Sequence, residues 1–219
     1  MSIPTERFTV QSQGAGYELA DYLNDIAAVV DCTNSRPVLC GYSHTAFFTV
    51  HYALNHPERL SALILVEPAL FNERAELLSR AHKALAGDEH GSITELLKNV
   101  QPDLANDETL AKAYTRFVVK STENSSTMGM ELLARANNPI SRERLSTLKM
   151  PVLLIGGTKS HAKYTVHRSA EALPNAFVWW VEGATHMDIM GPTYSNKIEQ
   201  AVNAFHAAMG LDRPAPSVN

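Results

Sequence analysis

The hydrophobic positions along the chain follow two patterns, one with helical spacing and one made of short continuous runs. Segment 16–31 places apolar side chains three and four residues apart, which predicts an amphipathic helix; they are Leu19, Tyr22, Leu23, Ile26, Val29 and Val30. The runs 38–40 and 63–66 are wholly apolar, and the helical pattern 46–55 lies between them. Short apolar runs that alternate with helices are typical of parallel strands covered on both faces.

The second half of the chain repeats this alternation after a long helical stretch. From about 72 to 147 several helical patterns follow one another without a convincing strand. A buried strand is then predicted at 151–156, a helix at about 165–173, a strand at 176–181 and a last helix at about 194–209. We therefore expect a three-layer α/β/α sandwich with a mostly parallel sheet and a helical insert.

Length and composition favour one enzyme-sized domain that carries this insert. The 219 residues suit a core made of 1–71 and 148–219, with 72–147 as a helical cap. Hydrophobic residues make up 45% and charged residues 19%, which indicates a globular chain. The net charge of −4, without clusters of Lys and Arg, argues against a nucleic-acid partner. No apolar run reaches the roughly 20 residues of a membrane span.

The first chemical signal is a turn between a predicted strand and a predicted helix. Segment 41–46 reads Gly-Tyr-Ser-His-Thr-Ala. A sharp strand-to-helix turn presents one side chain at a helix N-terminus, where backbone N–H groups stabilise a developing oxyanion. Gly41 supplies the small residue needed before the nucleophile, whereas Thr45 stands where Gly is usual. This pattern predicts Ser43 as a nucleophile, and the alternative is that Ser43 only caps the helix.

The surrounding segments resemble the α/β-hydrolase family over residues 16–209. In that family a helix of the form Y-x-L-x-D-Y-x-x-D-I leads into the nucleophile strand, and the matching residues are Tyr17, Leu19, Asp21, Tyr22, Asp25 and Ile26. Segment 56–68 is similar to the family's P-E-R-V-x-x-L-V-L-x-x-P. Segment 150–157 looks like the strand before the acid loop, and 181–186 like the loop with the catalytic His. The resemblance implies the family's fold and hydrolysis of an ester or related acyl bond.

The resemblance also implies roles for single residues. Ser43 would attack the substrate, and His186 would take its proton. The backbone N–H of His44 would bind the oxyanion, and Tyr42 beside it would contact the substrate. The alternative for His186 is a surface histidine on a short loop.

The acid of the expected triad is missing from its usual place. In the family it follows the strand before the histidine strand, but here loop 156–164 contains no carboxylate. Glu67 ends the strand after the nucleophile helix, where some relatives, certain haloalkane dehalogenases among them, place their acid. We therefore expect Glu67 to orient His186, the alternative being that Glu67 has no such role.

The beginning of the chain also departs from the family. Members generally start with two to four strands and an H-G loop that supplies a second oxyanion N–H. Here only 6–11 forms a candidate strand, with Gly14 and Gly16 as the corresponding loop. We expect an N-terminally shortened fold whose nucleophile strand lies at or near a sheet edge. An apolar edge invites pairing, so we expect a homo-oligomer or a partner chain that covers it.

The remaining expectations concern substrate, cofactor and compartment. No histidine stands at metal-binding spacing, and no organic cofactor is implied. Only two cysteines and no secretory signal pattern predict a cytoplasmic protein. An apolar cap would favour a small uncharged substrate, with these candidate pocket walls: Leu77, Leu78, Leu96, Leu97, Phe117 and Met130. Two alternatives stay open, a weak or inactive binding subunit and a lyase or cofactor-free oxygenase on the same fold.

Overall fold

A parallel four-stranded sheet forms the centre of the computed structural model, which describes residues 17–121 and 125–210. Its strands, in spatial as well as chain order, are β1 (Val38–Tyr42), β2 (Ala62–Val66), β3 (Val152–Gly157) and β4 (Ala176–Val181). The register places Cys40 beside Ile64, Ile64 beside Leu153, and Leu153 beside Phe177. All carboxyl ends of the strands therefore meet at one edge of the sheet, where the predicted site residues follow β1, β2 and β4.

The helices alternate with the strands except for one long insertion. They are α1 (Leu19–Asp31), α2 (Thr45–Asn55), α3 (Arg74–Leu85), α4 (Glu89–Val100), α5 (Pro102–Asn106), α6 (Glu108–Ser121), α7 (Ser125–Asn137), α8 (Arg142–Leu145), α9 (Lys163–Ala172) and α10 (Ser195–Ala208). A short 3-10 helix, Pro57–Arg59, leads into β2. Helices α3 to α8 lie between β2 and β3, in the stretch for which the sequence predicts helices without strands.

Both faces of the sheet are covered, which explains the wholly apolar strand patterns. Leu63 and Leu65 of β2 pack on one side with α1, α2 and α9, while Ile64 and Val66 pack on the other side with α10. Every residue of β2 and β3 is buried, so neither strand shows polar alternation. The predicted three-layer α/β/α sandwich is confirmed.

The helices of the insertion have an apolar cluster of their own. Helices α3 and α7 pack along each other, and α4 and α6 complete the cluster. Its buried members include Leu77, Ala81, Ile93, Leu97, Met128 and Leu132. These helices therefore have a core of their own, and side chains of α3, α4, α6 and α7 line a cavity together with Ser43 and His186 at the carboxyl edge of the sheet.

Within the described residues, β1 and β4 are the two edges of the sheet. Cys40, in the middle of β1, is exposed. The candidate strand 6–11, Gly14 and Gly16 lie outside the described residues. None of the helices in ranges 17–121 and 125–210 has both the length and the apolar character to cross a bilayer.

Candidate active site

Ser43 occupies the sharp turn between β1 and α2 in a left-handed conformation. Its φ is 53°, which is uncommon for a residue with a side chain. Two of its backbone hydrogen bonds join it to the end of β2 and the residues that follow: its N–H donates to the Val66 carbonyl at 2.9 Å, and its carbonyl accepts from the Ala69 N–H at 3.1 Å. Both partners flank Glu67, so the ends of β1 and β2 fix the strained turn together.

Two neighbours of Ser43 explain how this sequence accommodates the turn. A Cβ added at Gly41 would lie 2.6 Å from both Ala46 Cα and Thr49 Oγ1, so only glycine lets strand and helix approach so closely. Thr45 accepts a hydrogen bond from the Tyr42 N–H at 2.9 Å and donates one to the Tyr42 carbonyl at 2.8 Å. Thr45, unusual for the motif, therefore ties the turn to β1 through its hydroxyl.

Three predicted site residues meet in a continuous hydrogen-bonded relay. Ser43 Oγ lies 3.0 Å from Nε2 of His186, and Nδ1 of the same ring lies 3.1 Å from Oε2 of Glu67. These partners assign the tautomer: Nδ1–H donates to the carboxylate, and Nε2 accepts from the hydroxyl. Glu67 is fully buried and His186 is nearly so. This geometry can move a proton from Ser43 to His186 beside a fixed negative charge.

Loop 156–164, at the end of β3, contains no carboxylate, and it donates two hydrogen bonds to Glu67 at the end of β2. The Gly157 N–H donates to Oε1 at 2.6 Å, and the Ser160 hydroxyl donates to Oε2 at 2.5 Å. Glu67 itself has a left-handed φ of 48°. The sequence gives little sign of these partners, because a Gly-Gly-Thr-Lys-Ser loop after a strand has many other uses. The roles of Gly157 and Ser160 were missed for this reason.

The loop that carries His186 is fixed by its own contacts. The Gly183 N–H donates to Thr158 Oγ1 at 2.9 Å, and the Thr185 N–H donates to Asp188 Oδ1 at 2.7 Å. Gly183 has a φ of 78°, in the region that favours glycine. The Gly183 contact joins the histidine loop to the loop after β3, and the Thr185 contact lies within the histidine loop.

Tyr42 contacts His186 directly. Its hydroxyl donates to the His186 carbonyl at 2.5 Å, and the two rings stack with centroids 5.5 Å apart. Burial raises the pKa of Tyr42, with smaller contributions that include Glu67 and Asp188, so the phenol remains a donor at neutral pH. Tyr42 also lines the cavity over the nucleophile, where the sequence predicts a substrate contact.

The expected oxyanion donor has a free N–H. His44 precedes the first residue of α2, and its N–H donates to no acceptor in the described part of the chain. It points from the helix N-terminus, where the helix dipole adds a partial positive charge. The second expected donor, near Gly14 and Gly16, lies outside the described residues.

A cavity of about 580 Å³ opens over the relay and extends under the cap. Ser43 and His186 lie at its floor. Its apolar wall includes Leu96, Tyr114, Phe117, Met128 and Leu132, and its charged wall includes Glu76, Arg80, Glu131 and Arg135. Of the predicted walls, Leu96 and Phe117 line this cavity, whereas Leu97 is buried in the core of the cap. The lining therefore contains charged residues in addition to the apolar walls that the sequence predicts.

Metal binding has no structural support in the segments the structure describes. There, no three His, Cys, Asp or Glu side chains come together as a metal site would require. His44, His51 and His56 lie close in sequence but belong to different surroundings: His44 lines the cavity, and His51 is buried in the core.

The relay lies at the carboxyl edge of a parallel sheet. A comparison of the sequence with protein-family profiles agrees with this arrangement. The profile of the Alpha/beta hydrolase family matches residues 6–195. The chain belongs to this family. Among curated protein sequences, none matches it.

Solved structures of low sequence identity share the fold. A thermophilic esterase from Thermogutta terrifontis superposes with a TM-score of 0.73 at 15% identity, covering 91% of this chain and 75% of that one. The enol-lactonase from Burkholderia xenovorans LB400 gives 0.69 at 20% identity, with 90% and 75% covered. A bromoperoxidase from Bacillus anthracis gives 0.65 at 16% identity, with 89% and 76% covered. This family member therefore shares its architecture with proteins of differing named activities.

Proposed function

We propose that the protein is a serine hydrolase that cleaves an ester or related acyl bond. The observation that carries this proposal is the relay from Ser43 Oγ through His186 to Glu67, with successive distances of 3.0 and 3.1 Å. A helix-capping serine would not need a buried imidazole, itself paired with a fully buried carboxylate. The name of the similar esterase agrees with this reaction class.

The reaction begins with attack of Ser43 Oγ on the carbonyl carbon of the substrate. His186 Nε2 takes the hydroxyl proton, Glu67 stabilises the resulting imidazolium, and the His44 N–H binds the oxyanion. The tetrahedral intermediate collapses when His186 returns the proton to the leaving alcohol, which gives an acyl-enzyme. Water then attacks the acyl carbon, again giving a proton to His186, and the acid leaves as Ser43 recovers its proton.

A fluorophosphonate probe tests the proposal, because it phosphonylates only an activated serine. We expect one adduct, on Ser43, in the full chain, and none in Ser43→Ala or His186→Ala. Ser146→Ala is the matched control, since the Ser146 hydroxyl is exposed and donates only to the Glu143 carbonyl. Absence of labelling in folded wild-type protein would contradict the proposal.

Two other functions predict different results. A binding subunit would fold, keep its cavity and fail to label. A lyase or cofactor-free oxygenase could label yet release no acid from any ester. The binding subunit has two grounds in the sequence, the missing loop acid and the missing oxyanion loop. The contact of Glu67 with His186 argues against the first of them.

We also propose self-association through the β1 edge and a cytoplasmic location. In the described residues β1 has a strand neighbour on one side only, and Cys40 in it is exposed. Both cysteines are free thiols, as a reducing compartment allows. Light scattering should give a mass of twice the 24.0 kDa chain, and a monodisperse monomer would contradict the assembly.

A further inference from the structure

Two arginines are buried in the charged wall of the cavity over Ser43. Arg80 belongs to α3 and Arg135 to α7, and the two side chains are 4% and 5% exposed. Because α3 and α7 pack along each other, both guanidinium groups reach the same cavity as the nucleophile. Arginine is almost never buried to this degree without partners.

The protein supplies these arginines with few hydrogen-bond acceptors. Each guanidinium has five N–H donors. Among the described residues, Arg135 Nη2 donates to Asn72 Oδ1 at 2.7 Å, and Arg80 Nε donates to the Ser92 carbonyl at 3.3 Å. Both groups therefore retain donors that the fold does not match.

The nearest carboxylates compensate for charge but do not fill these donor positions. Glu76 Oε1 lies 3.7 Å from Arg80 Nη1, and Glu131 Oε1 lies 3.7 Å from Arg135 Nη1. Both separations exceed a hydrogen bond. Each pair is one helical turn apart on its own helix, and each carboxylate also acts on the arginine of the other helix. Neither pair bridges the two guanidinium groups.

The positive charges also act on one another and on His44, which follows Ser43. Burial, followed by the charge of Arg135, lowers the pKa of Arg80 to about 10, which leaves it charged at neutral pH. Burial lowers the pKa of His44, Glu131 opposes this shift, and Arg135 and Arg80 add to it. The His44 side chain is 49% exposed and lines the cavity. The arginine pair thus acts on the residue that follows Ser43.

Given the proposed serine-hydrolase function, we propose that Arg80 and Arg135 bind a carboxylate on the substrate, so that the preferred substrate is the ester of an acid with a second, ionised carboxyl group. A carboxylate offers two oxygens that match the planar fork of a guanidinium. It would accept from donors that Glu76 and Glu131 leave unmatched at 3.7 Å. This charged substrate replaces the uncharged substrate expected from the sequence.

A matched pair of esters tests this specificity. Mono-p-nitrophenyl succinate carries a free carboxylate, and its methyl ester replaces that charge by one methyl group. We expect wild-type kcat/KM to favour the charged ester by about tenfold or more, as charge-assisted hydrogen bonds allow. The charge-balanced variants Arg80→Gln/Glu76→Gln and Arg135→Gln/Glu131→Gln should reduce this ratio toward one.

A control variant separates the buried pair from the general charge of the cap. Glu108→Gln/Lys112→Gln removes an exposed ion pair with the same helical spacing on α6. It should keep the wild-type ratio of the two esters. A wild-type ratio near one, or a ratio unchanged in both charge-balanced variants, would overturn the carboxylate site.

Ligand binding to the inactive variant Ser43→Ala tests the carboxylate site independently of catalysis. Calorimetry should show monomethyl succinate binding about tenfold more tightly than dimethyl succinate, with the difference lost when Arg135→Gln/Glu131→Gln is added. Equal affinities would reject the carboxylate site even where fluorophosphonate labels Ser43. Failure to label, together with a clear preference for the charged ligand, would reject the hydrolase and keep the site.

Discussion

The hydroxyl of Ser160 donates a 2.5 Å hydrogen bond to Oε2 of Glu67. The same oxygen lies 3.1 Å from Nδ1 of His186. Ser160 is itself buried and accepts from the Ala162 N–H at 3.0 Å, so its orientation is fixed by the start of the following helix. Ser160 therefore acts as a positioning residue for the carboxylate that faces the imidazole.

Replacing Ser160 with alanine should lower kcat about tenfold with little change in KM. The hydrogen bond reaches a charged group, and such bonds contribute roughly 1.5–3 kcal/mol. Without it, Glu67 keeps only the Gly157 N–H to fix its position against His186. Steady-state kinetics on an activated ester measures the split between kcat and KM.

The conservative variant Ser160→Thr keeps the hydroxyl and should recover most of the lost kcat. A downfield proton NMR signal from the His186 Nδ1–H should move in Ser160→Ala and return in Ser160→Thr. A merely structural serine would change the melting temperature of the protein without moving that signal.

Glu67→Gln should remove most activity while leaving the fold intact. Glutamine fills the same space, but it carries no charge to stabilise the imidazolium and can favour the wrong tautomer of His186. Loss of the equivalent acid in a serine triad lowers turnover by about 10⁴. Turnover of an activated ester, measured beside thermal unfolding of both proteins, checks this. Unchanged turnover would remove Glu67 from the mechanism.

The sequence predicted the parts of this site that depend on local backbone chemistry and strand order. Ser43 stands on a turn that requires a glycine two residues before it, and His186 follows a strand after small residues. Glu67 could be proposed because it ends the strand after the nucleophile helix, where some members of the family place their acid. Their mutual distances required the three-dimensional structure.

Other parts of the site depend on how segments that are distant in sequence approach each other, and the sequence did not predict them. Arg80 and Arg135 lie on amphipathic helices, where the pattern is equally typical of solvent-facing arginines. Their burial follows from the packing of α3 against α7. Ser160 meets Glu67 because the loop after β3 bends over the end of β2, and no spacing in the sequence encodes that bend.

Gly41→Ala should destabilise the protein and abolish labelling of Ser43. The new Cβ would lie 2.6 Å from Ala46 Cα and 2.9 Å from the Ala46 nitrogen, both of them backbone atoms that cannot simply rotate away. Overpacking of this kind lowers the free energy of unfolding by about 1–3 kcal/mol. Urea denaturation and fluorophosphonate labelling measure the two effects.

Gly87→Ala is the control for glycine substitution away from the site. Gly87 has a φ of 81°, and nothing lies within 4 Å of an added Cβ. Its replacement should lower the stability by only about 1–2 kcal/mol through backbone strain and leave labelling unchanged. Equal labelling of both variants would show that strand β1 and helix α2 can separate without disturbing Ser43.

His51 should make the stability depend on pH below neutrality. The side chain is 2% exposed, packs on Phe47, and has Nε2 3.0 Å from the Asn138 carbonyl. Burial lowers the pKa of His51, and the bond to Asn138 only partly opposes this. A histidine in an unfolded chain has a pKa of about 6.5. The unfolded chain therefore binds a proton that the folded chain resists, so stability is complete above that pH and is lost as pH falls toward the folded pKa.

His51→Gln removes the titration while retaining a donor for the Asn138 carbonyl. We expect the free energy of unfolding of the wild type to fall more steeply between about pH 6.5 and 5 than that of the variant, by up to about 1.4 kcal/mol per pH unit. Because His44 also has a lowered pKa, it contributes in the same direction to both proteins and cancels from the difference. Parallel pH curves from urea denaturation would show that the His51 ring takes up its proton as readily in the folded chain as in the unfolded one.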